Sequence, residues 1–210
     1  MTAPATSSRG QRLPRSARRA QLLQAAQEVF VDQGYHAAAM DDIALGAGVS
    51  KPVLYQHFPG KLDLYLALLD SSCDALDQLV RDALEQAGPD NHDRVQATID
   101  AYFTFVSAPH GAFRMVFESD LTSEPAVRAR LDSVELSCAE TVADVIAADT
   151  GVDDDRAMLL AVALTGMAQV SARHWQAQGV QIPRDEAANL VAMLVWRGLG
   201  SFPKVDEDLS

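Results

Sequence analysis

Met40–Lys61 reads MDDIALGAGVSKPVLYQHFPGK, and the fold turns on this stretch. Ile43, Ala44 and Ala47 follow Met40 at helical spacing, and Gly46 and Gly48 bracket a tight turn. Ser50 then opens a second short helix with Leu54 and Phe58 facing inward. Two short helices joined by a glycine turn make a helix-turn-helix. At about 100° per residue, Pro52 and Gln56 point away from Leu54, with Val53 and Tyr55 on the flanks. That face suits nucleic acid. Gln pairs bidentately with an adenine edge, Val covers a thymine methyl, and Lys51, Tyr55 and Lys61 reach phosphate oxygens. Ser50 is the expected cap, and Pro52 is tolerated in a first turn, where its missing N–H has no intrahelical use. A helix N-terminus exposed in this way attracts a phosphate. His57 stands at the edge of the same helix, facing phosphate or simply solvent.

Upstream, Arg15 to Gln33 reads as a helix with Leu22, Leu23, Ala26, Val29 and Phe30 on one face and a stop at Gly34. It braces the helix-turn-helix. Its basic start, Arg15, Arg18 and Arg19, preceded by Arg9 and Arg12, is placed to lie along phosphates or enter a minor groove. For Arg9 and Arg12 the plain alternative is a solubilising basic tail.

These residues resemble the DNA-binding head of the TetR family of transcriptional repressors. The resemblance is carried by Gly34-Tyr35, Met40-Asp41-Asp42-Ile43-Ala44, Gly48-Val49-Ser50-Lys51, Leu54-Tyr55-Gln56-His57-Phe58 and Lys61, in that order and without gaps, between about Arg15 and Leu69. It departs at Ala39, where the family usually has Thr or Ser, and at Pro52, where a small residue is common. The resemblance implies a palindromic operator, a larger helical body that binds an effector, and a four-helix dimer interface. It also implies release when ligand shifts the long helix begun at Lys61.

A net charge of −12 argues at first against a nucleic-acid partner, but the charge is unevenly spread along the chain. Up to Leu69 there are seven Lys and Arg against five Asp and Glu; beyond it there are ten against twenty-four. A basic head on an acidic body orients the head toward DNA. The most apolar stretches, Ala157 to Leu164 and Leu190 to Trp196, are far shorter than the roughly 20 residues of a spanning helix. Residues 1–14 lack the apolar core of a secretory signal and read as a disordered basic arm, so a cytoplasmic protein is expected. Cys73 and Cys138 are expected as reduced, buried thiols.

The rest of the chain is patterned as helices throughout. Lys61 to about Gln86 carries Leu62, Tyr65, Leu66, Leu69, Cys73, Leu76, Leu79, Val80 and Leu84 at three- and four-residue spacing, and Gly88-Pro89 ends it. Asn91 is the expected cap of a helix to Val106, and Pro109-His110-Gly111 breaks the pattern before a short helix with Phe113, Met115, Val116 and Phe117. Ser123-Glu124-Pro125 introduces Ala126 to Ala148, closed by Gly151. Asp153, Asp154 and Asp155 cap the next helix and complement its dipole; they do not read as a metal site. The last two helices, Arg156 to Gln178 and Arg184 to Gly200, are apolar over most of their circumference and need cover beyond their own chain, so they are expected to pair with their copies in a two-fold dimer.

The expected organisation is all-α: an arm (1–14), a three-helix head with the helix-turn-helix (15–60), an effector-binding and dimerisation body (61–202) and a tail (203–210). DNA contacts are assigned to Arg15, Arg18, Lys51, Pro52, Val53, Tyr55, Gln56, His57 and Lys61. For the body, an effector pocket is assigned to Tyr102, Phe103, Phe113, Phe117, Met167, His174 and Trp175, with Arg114 or Arg173 as further polar anchors; the plain reading of the aromatics is core. No nucleophile motif, phosphate loop or metal-ligand spacing is present, so neither catalysis, metal nor cofactor is expected. The function expected is a homodimeric transcriptional regulator, a repressor, released from DNA by a small, largely apolar molecule. The alternative is a helical small-molecule-binding protein or enzyme that does not use its head on DNA.

Overall fold

The computed structural model describes residues 13–108, 111–119, 121–177, 179 and 181–198. The N-terminal residues through Arg12, including Arg9, lie outside the described residues, as do Pro109, His110, Gln178, Leu199, Gly200 and the tail. Among the described residues there are nine helices and no strand: α1 (Arg15–Ala37), α2 (Met40–Gly46), α3 (Lys51–His57), α4 (Lys61–Gln86), α5 (Asn91–Ser107), α6 (Ala112–Phe117), α7 (Pro125–Thr150), α8 (Asp154–Ala177) and α9 (Arg184–Arg197). The chain divides into two compact units, one through Tyr65 and the other from Leu66 onward, so α4 starts in the first and continues in the second.

The first unit closes around Leu22, Ile43 and Leu54, none of which is exposed, together with Ala26, Phe30 and Phe58. These residues come from all three helices of the head, at the spacings that put one stripe of each inward. Gly34 takes a left-handed φ of 75° within α1, so the helix breaks where the stop was expected and a further turn continues to Ala37. Tyr65, from the second turn of α4, meets Phe30 and Tyr35 edge-on, with ring centroids 5.3 and 5.2 Å apart.

In the second unit, α4 buries Leu68, Leu69, Leu76 and Val80, and α5 buries Ile99, Tyr102, Phe103 and Val106. Helices α7 and α8 bury Val127, Val134, Cys138, Val142 and Ala157, Ala161, Ala168, Ala172 respectively. The alanine row on α8 lets neighbouring helices approach closely. Both cysteines are free and buried. No described helix is long and apolar enough to cross a membrane.

Helix ends depart from expectation in three places. Ser50 stands at the N-cap of α3 with extended backbone, but its side chain makes no capping bond. Asp90, not Asn91, caps α5: its carboxylate accepts from the His92 N–H at 2.7 Å, which an acid does better than an amide beside a helix dipole. Helix α9 ends at Arg197, at a Gly198 with φ of 73°, short of the expected Gly200. The acidic run does cap as expected, with Asp153 accepting from the Arg156 N–H at 3.0 Å and Asp154 and Asp155 in the first turn of α8.

Candidate nucleic-acid interface

The turn between α2 and α3 is set by backbone bonds. The Gly48 N–H donates to the Leu45 carbonyl at 2.9 Å and the Val49 N–H to the Ala44 carbonyl at 3.0 Å. Gly48 sits at φ 61°, a left-handed conformation that a Cβ strains. The turn seats Leu54 and Phe58 in the core and so fixes which side of α3 faces solvent. Lys51, Pro52, Tyr55 and Gln56 are exposed there, with Val53 and His57 half-buried at the margins.

Val53, Gln56 and His57 share an open cleft of about 510 Å³ with Leu13, Arg15 and Arg18 from the start of α1. Two elements far apart in sequence thus present hydrogen-bonding groups, an aliphatic surface and two guanidinium groups to one space. Lys51, Pro52 and Tyr55 lie outside the residues lining that cleft, on the same helix. Lys51 pairs with Asp41 at 2.6 Å, both side chains well exposed. The Asp41 carboxylate raises the Lys51 pKa, chiefly through this hydrogen bond. An exposed pair of this kind contributes little and can be exchanged for a phosphate.

Lys61 is placed differently from the expectation. Its ammonium donates to the carbonyls of Tyr35, His36 and Ala38 at 2.8, 3.2 and 2.9 Å, and lies 4.5 Å from the Tyr35 ring centre. An ammonium has three donors, and here all three are taken by the last turn of α1 and the residue after it. A phosphate contact would have to displace them. Arg19 is likewise engaged, with its guanidinium carbon 4.8 Å over the Phe58 ring.

The aromatics assigned to an effector pocket mostly pack on one another. Tyr102 stacks on Phe117 at 6.4 Å, and Phe103 lies 5.8 Å from Trp175, whose Nε1 donates to the Ile182 carbonyl at 2.8 Å. Tyr102, Phe103, Phe113 and Phe117 are buried, whereas Met167 and His174 are exposed on α8. Phe117, Arg173 and His174 do meet, with Glu118 and Val170, along an open groove of about 400 Å³, and Arg114 pairs with Glu118 at 3.4 Å.

A half-open, apolar-walled pocket of about 370 Å³ lies elsewhere in the second unit and shares none of those residues. Leu84, Val95, Val142, Ile146, Leu164 and Trp196 are among its lining, and the ion-paired Arg94 and Asp149 also border it. No local signal in the sequence marks it, because it is assembled from the ends of five helices.

Burial raises the thiol of Cys73 to about 12 and that of Cys138, which is also hydrogen-bonded by Tyr102, to about 11. Thiols that titrate so high are poor nucleophiles near neutral pH. Among the described residues, no group of three or more His, Cys, Asp or Glu is arranged to hold a metal ion.

Residues 22–68 match the family model for bacterial regulatory proteins of the tetR family. Over 195 residues the chain is 46% identical to the HTH-type transcriptional activator FasR of Mycolicibacterium smegmatis, covering 93% of this chain and 89% of that protein. A TetR-like transcriptional regulator from Rhodococcus sp. RHA1 superimposes with a TM-score of 0.66 at 30% identity, over 91% of this chain and 100% of that one. The transcriptional regulator FadR from Bacillus subtilis, solved in complex with stearoyl-CoA, has the same fold: TM-score 0.71 at 18% identity, over 86% of this chain and 98% of that one.

Proposed function

The chain belongs to the TetR family of bacterial regulatory proteins, and from that premise we propose that it binds a palindromic operator as a homodimer and changes its DNA affinity when a small, largely apolar molecule occupies the body. The observation that carries the proposal is the cleft in which Arg15 and Arg18 meet Val53, Gln56 and His57. Gln56 and Val53 read base edges, and Tyr55, Lys51, Arg15 and Arg18 hold the backbone. His57 and Pro52 shape the edge of that surface.

One short helix reads few base pairs. Two copies about 34–36 Å apart, or a multiple, read successive faces of the major groove. The dimer is supported by the apolar side chains left exposed on α8, with Leu159 at 70%, Val162 at 51%, Met167 at 40% and Val170 at 56%, and by Leu190 on α9. Large apolar side chains exposed in this number suit an interface. Sedimentation of Val170→Glu should give a monomer where the parent chain is a dimer; a monomeric parent would defeat this part of the reading.

The candidate effector site is the cavity bordered by Leu84, Val142, Ile146, Leu164 and Trp196, whose 370 Å³ falls within the range of small-molecule pockets. A ligand there is mostly hydrocarbon. Couplings between such a site and DNA of about 1–3 kcal/mol change affinity roughly 5- to 150-fold.

The family resemblance favours repression, whereas the M. smegmatis relative is named an activator, which favours the opposite sign. The test is to select bound fragments from genomic DNA, footprint them, and place one upstream of a reporter. Reporter output that falls with the protein present gives repression, and output that rises gives activation. Failure to protect any sequence selectively supports the rival reading, a helical binding protein or enzyme that does not use its head on DNA.

A further inference from the structure

Gln21 stands one turn along α1 from Arg18, half-buried, and its amide serves two groups at once. Nε2 donates to the Ala47 carbonyl at 2.8 Å, and Oε1 accepts from Arg18 Nη1 at 2.7 Å. The first of these bonds spans 26 positions and ties α1 to the turn of the helix-turn-helix. Ala47 follows the last residue of α2, where carbonyls lack intrahelical partners. Those of Ile43, Ala44 and Leu45 are taken by the N–H groups of Ala47, Val49 and Gly48. Gln21 takes the one at Ala47.

The amide has one admissible orientation. Turned over, it would set Oε1 against a carbonyl oxygen and Nε2 against a guanidinium N–H, exchanging two attractions for two repulsions. Glutamate would keep Arg18 and oppose the carbonyl, and leucine would lose both bonds.

We propose that Gln21 is a positioning residue for DNA binding: it senses the turn through Ala47 and sets the Arg18 guanidinium on the α1 side of the recognition cleft. The inference rests on the assignment of that cleft to DNA. A guanidinium carries five N–H donors in one rigid plane, so fixing one of them orients the rest toward a phosphate. A side chain held in advance loses less rotamer freedom on binding. The phosphate contact and the seating of the recognition helix are thereby joined through a single side chain.

The experiment uses the full chain and a duplex enriched from a random pool, with Gln21→Leu, Gln21→Glu, Arg18→Ala and the double variant Gln21→Leu/Arg18→Ala. Gln21→Leu and Arg18→Ala should each weaken binding about 3- to 10-fold and flatten the slope of log affinity against log salt by about 0.9, the share of one phosphate. The double variant should lose less than the sum of the two single losses, because Arg18 is already gone. Gln21→Glu, which keeps the Arg18 partner, should retain the salt slope while lowering the melting temperature. A wild-type salt slope in Gln21→Leu, or additive losses in the double variant, would overturn the proposal. Arg18 Nε–H relaxation by NMR, measured without DNA, should report an ordered guanidinium in the parent chain and a mobile one in Gln21→Leu; equal order in both overturns the proposal. Loss of selective binding by the parent chain with the relaxation difference intact counts against the DNA assignment instead.

Discussion

In the first unit Leu22, Ile43 and Leu54 close a small core, and four cations around it have partners within the unit: Lys51 on Asp41, Lys61 on three carbonyls, Arg18 on Gln21, Arg19 over Phe58. In the second unit aliphatic side chains and a cluster of aromatic rings fill the core, while Leu159, Val162 and Val170 are left facing solvent along α8. The first unit is complete as a single chain except for an anionic partner able to outcompete exposed pairs. Under the proposed function, the second is completed by the apolar surface of another copy. The difference separates two kinds of recognition, one by exchange of polar partners and one by removal of hydrocarbon from water.

The largest expected effect breaks the head alone. Leu54→Ala removes a side chain with no exposure and should cost about 2–5 kcal/mol, abolishing DNA binding. Calorimetry should then show an early transition while sedimentation still finds a dimer. A single cooperative melt shifted as a whole would erase the distinction between the units.

Lys61→Met comes next. Loss of a charged donor to the end of α1 should destabilise the head by about 1.5–3 kcal/mol, and the loss should be seen without DNA. Unchanged stability with weakened DNA binding would restore Lys61 to the phosphate contacts. Gln56→Ala should act in the opposite sense, lowering operator affinity by about 1–3 kcal/mol while leaving the melting temperature within error. A large fall in melting temperature would make Gln56 a structural residue.

Smaller still is the expected pH effect in the body. Burial pushes the Asp77 carboxyl up, but hydrogen bonds from Arg81 and Ser137 outweigh it and hold the group below its ordinary value. The resulting stability is present above the ordinary carboxylate range and is lost as pH falls through the lowered value. Asp77→Asn should therefore flatten the acid limb of the stability curve, by less than about 1 kcal/mol for a partly exposed pair. An identical acid limb in parent and variant would remove Asp77 from the account. Smallest of all, iodoacetamide at pH 8 should leave Cys73 and Cys138 unmodified until the protein unfolds, since their thiols titrate near 12 and 11.

The head was largely legible in the sequence because each of its signals is local. Gly48 marks a turn, Leu54 and Phe58 recur at four residues, and Gly34 breaks α1 at φ 75°. What it hid was the use of polar groups: nothing in the residue type tells a lysine that holds carbonyls from one that awaits a phosphate. Gln21 was missed for the same reason, although its spacing of three from Arg18 on one helix face was visible. The body was legible in its helices and not in its spaces. Phe113 and Phe117 are conspicuous as rings and are buried, Phe117 also bordering an open groove, whereas Leu84, Val142 and Leu164 border a pocket to which distant helix ends contribute.

Helix α4 is a single run of 26 residues, with Lys61 clasping the end of α1 and Leu84 bordering the apolar cavity. These two residues lie about 35 Å apart along a rod with a rise of about 1.5 Å per residue. Since both residues sit on one helix, inserting a single residue between them would rotate Leu84 by about 100° about the helix axis relative to Lys61, so the count of residues from one to the other is itself constrained.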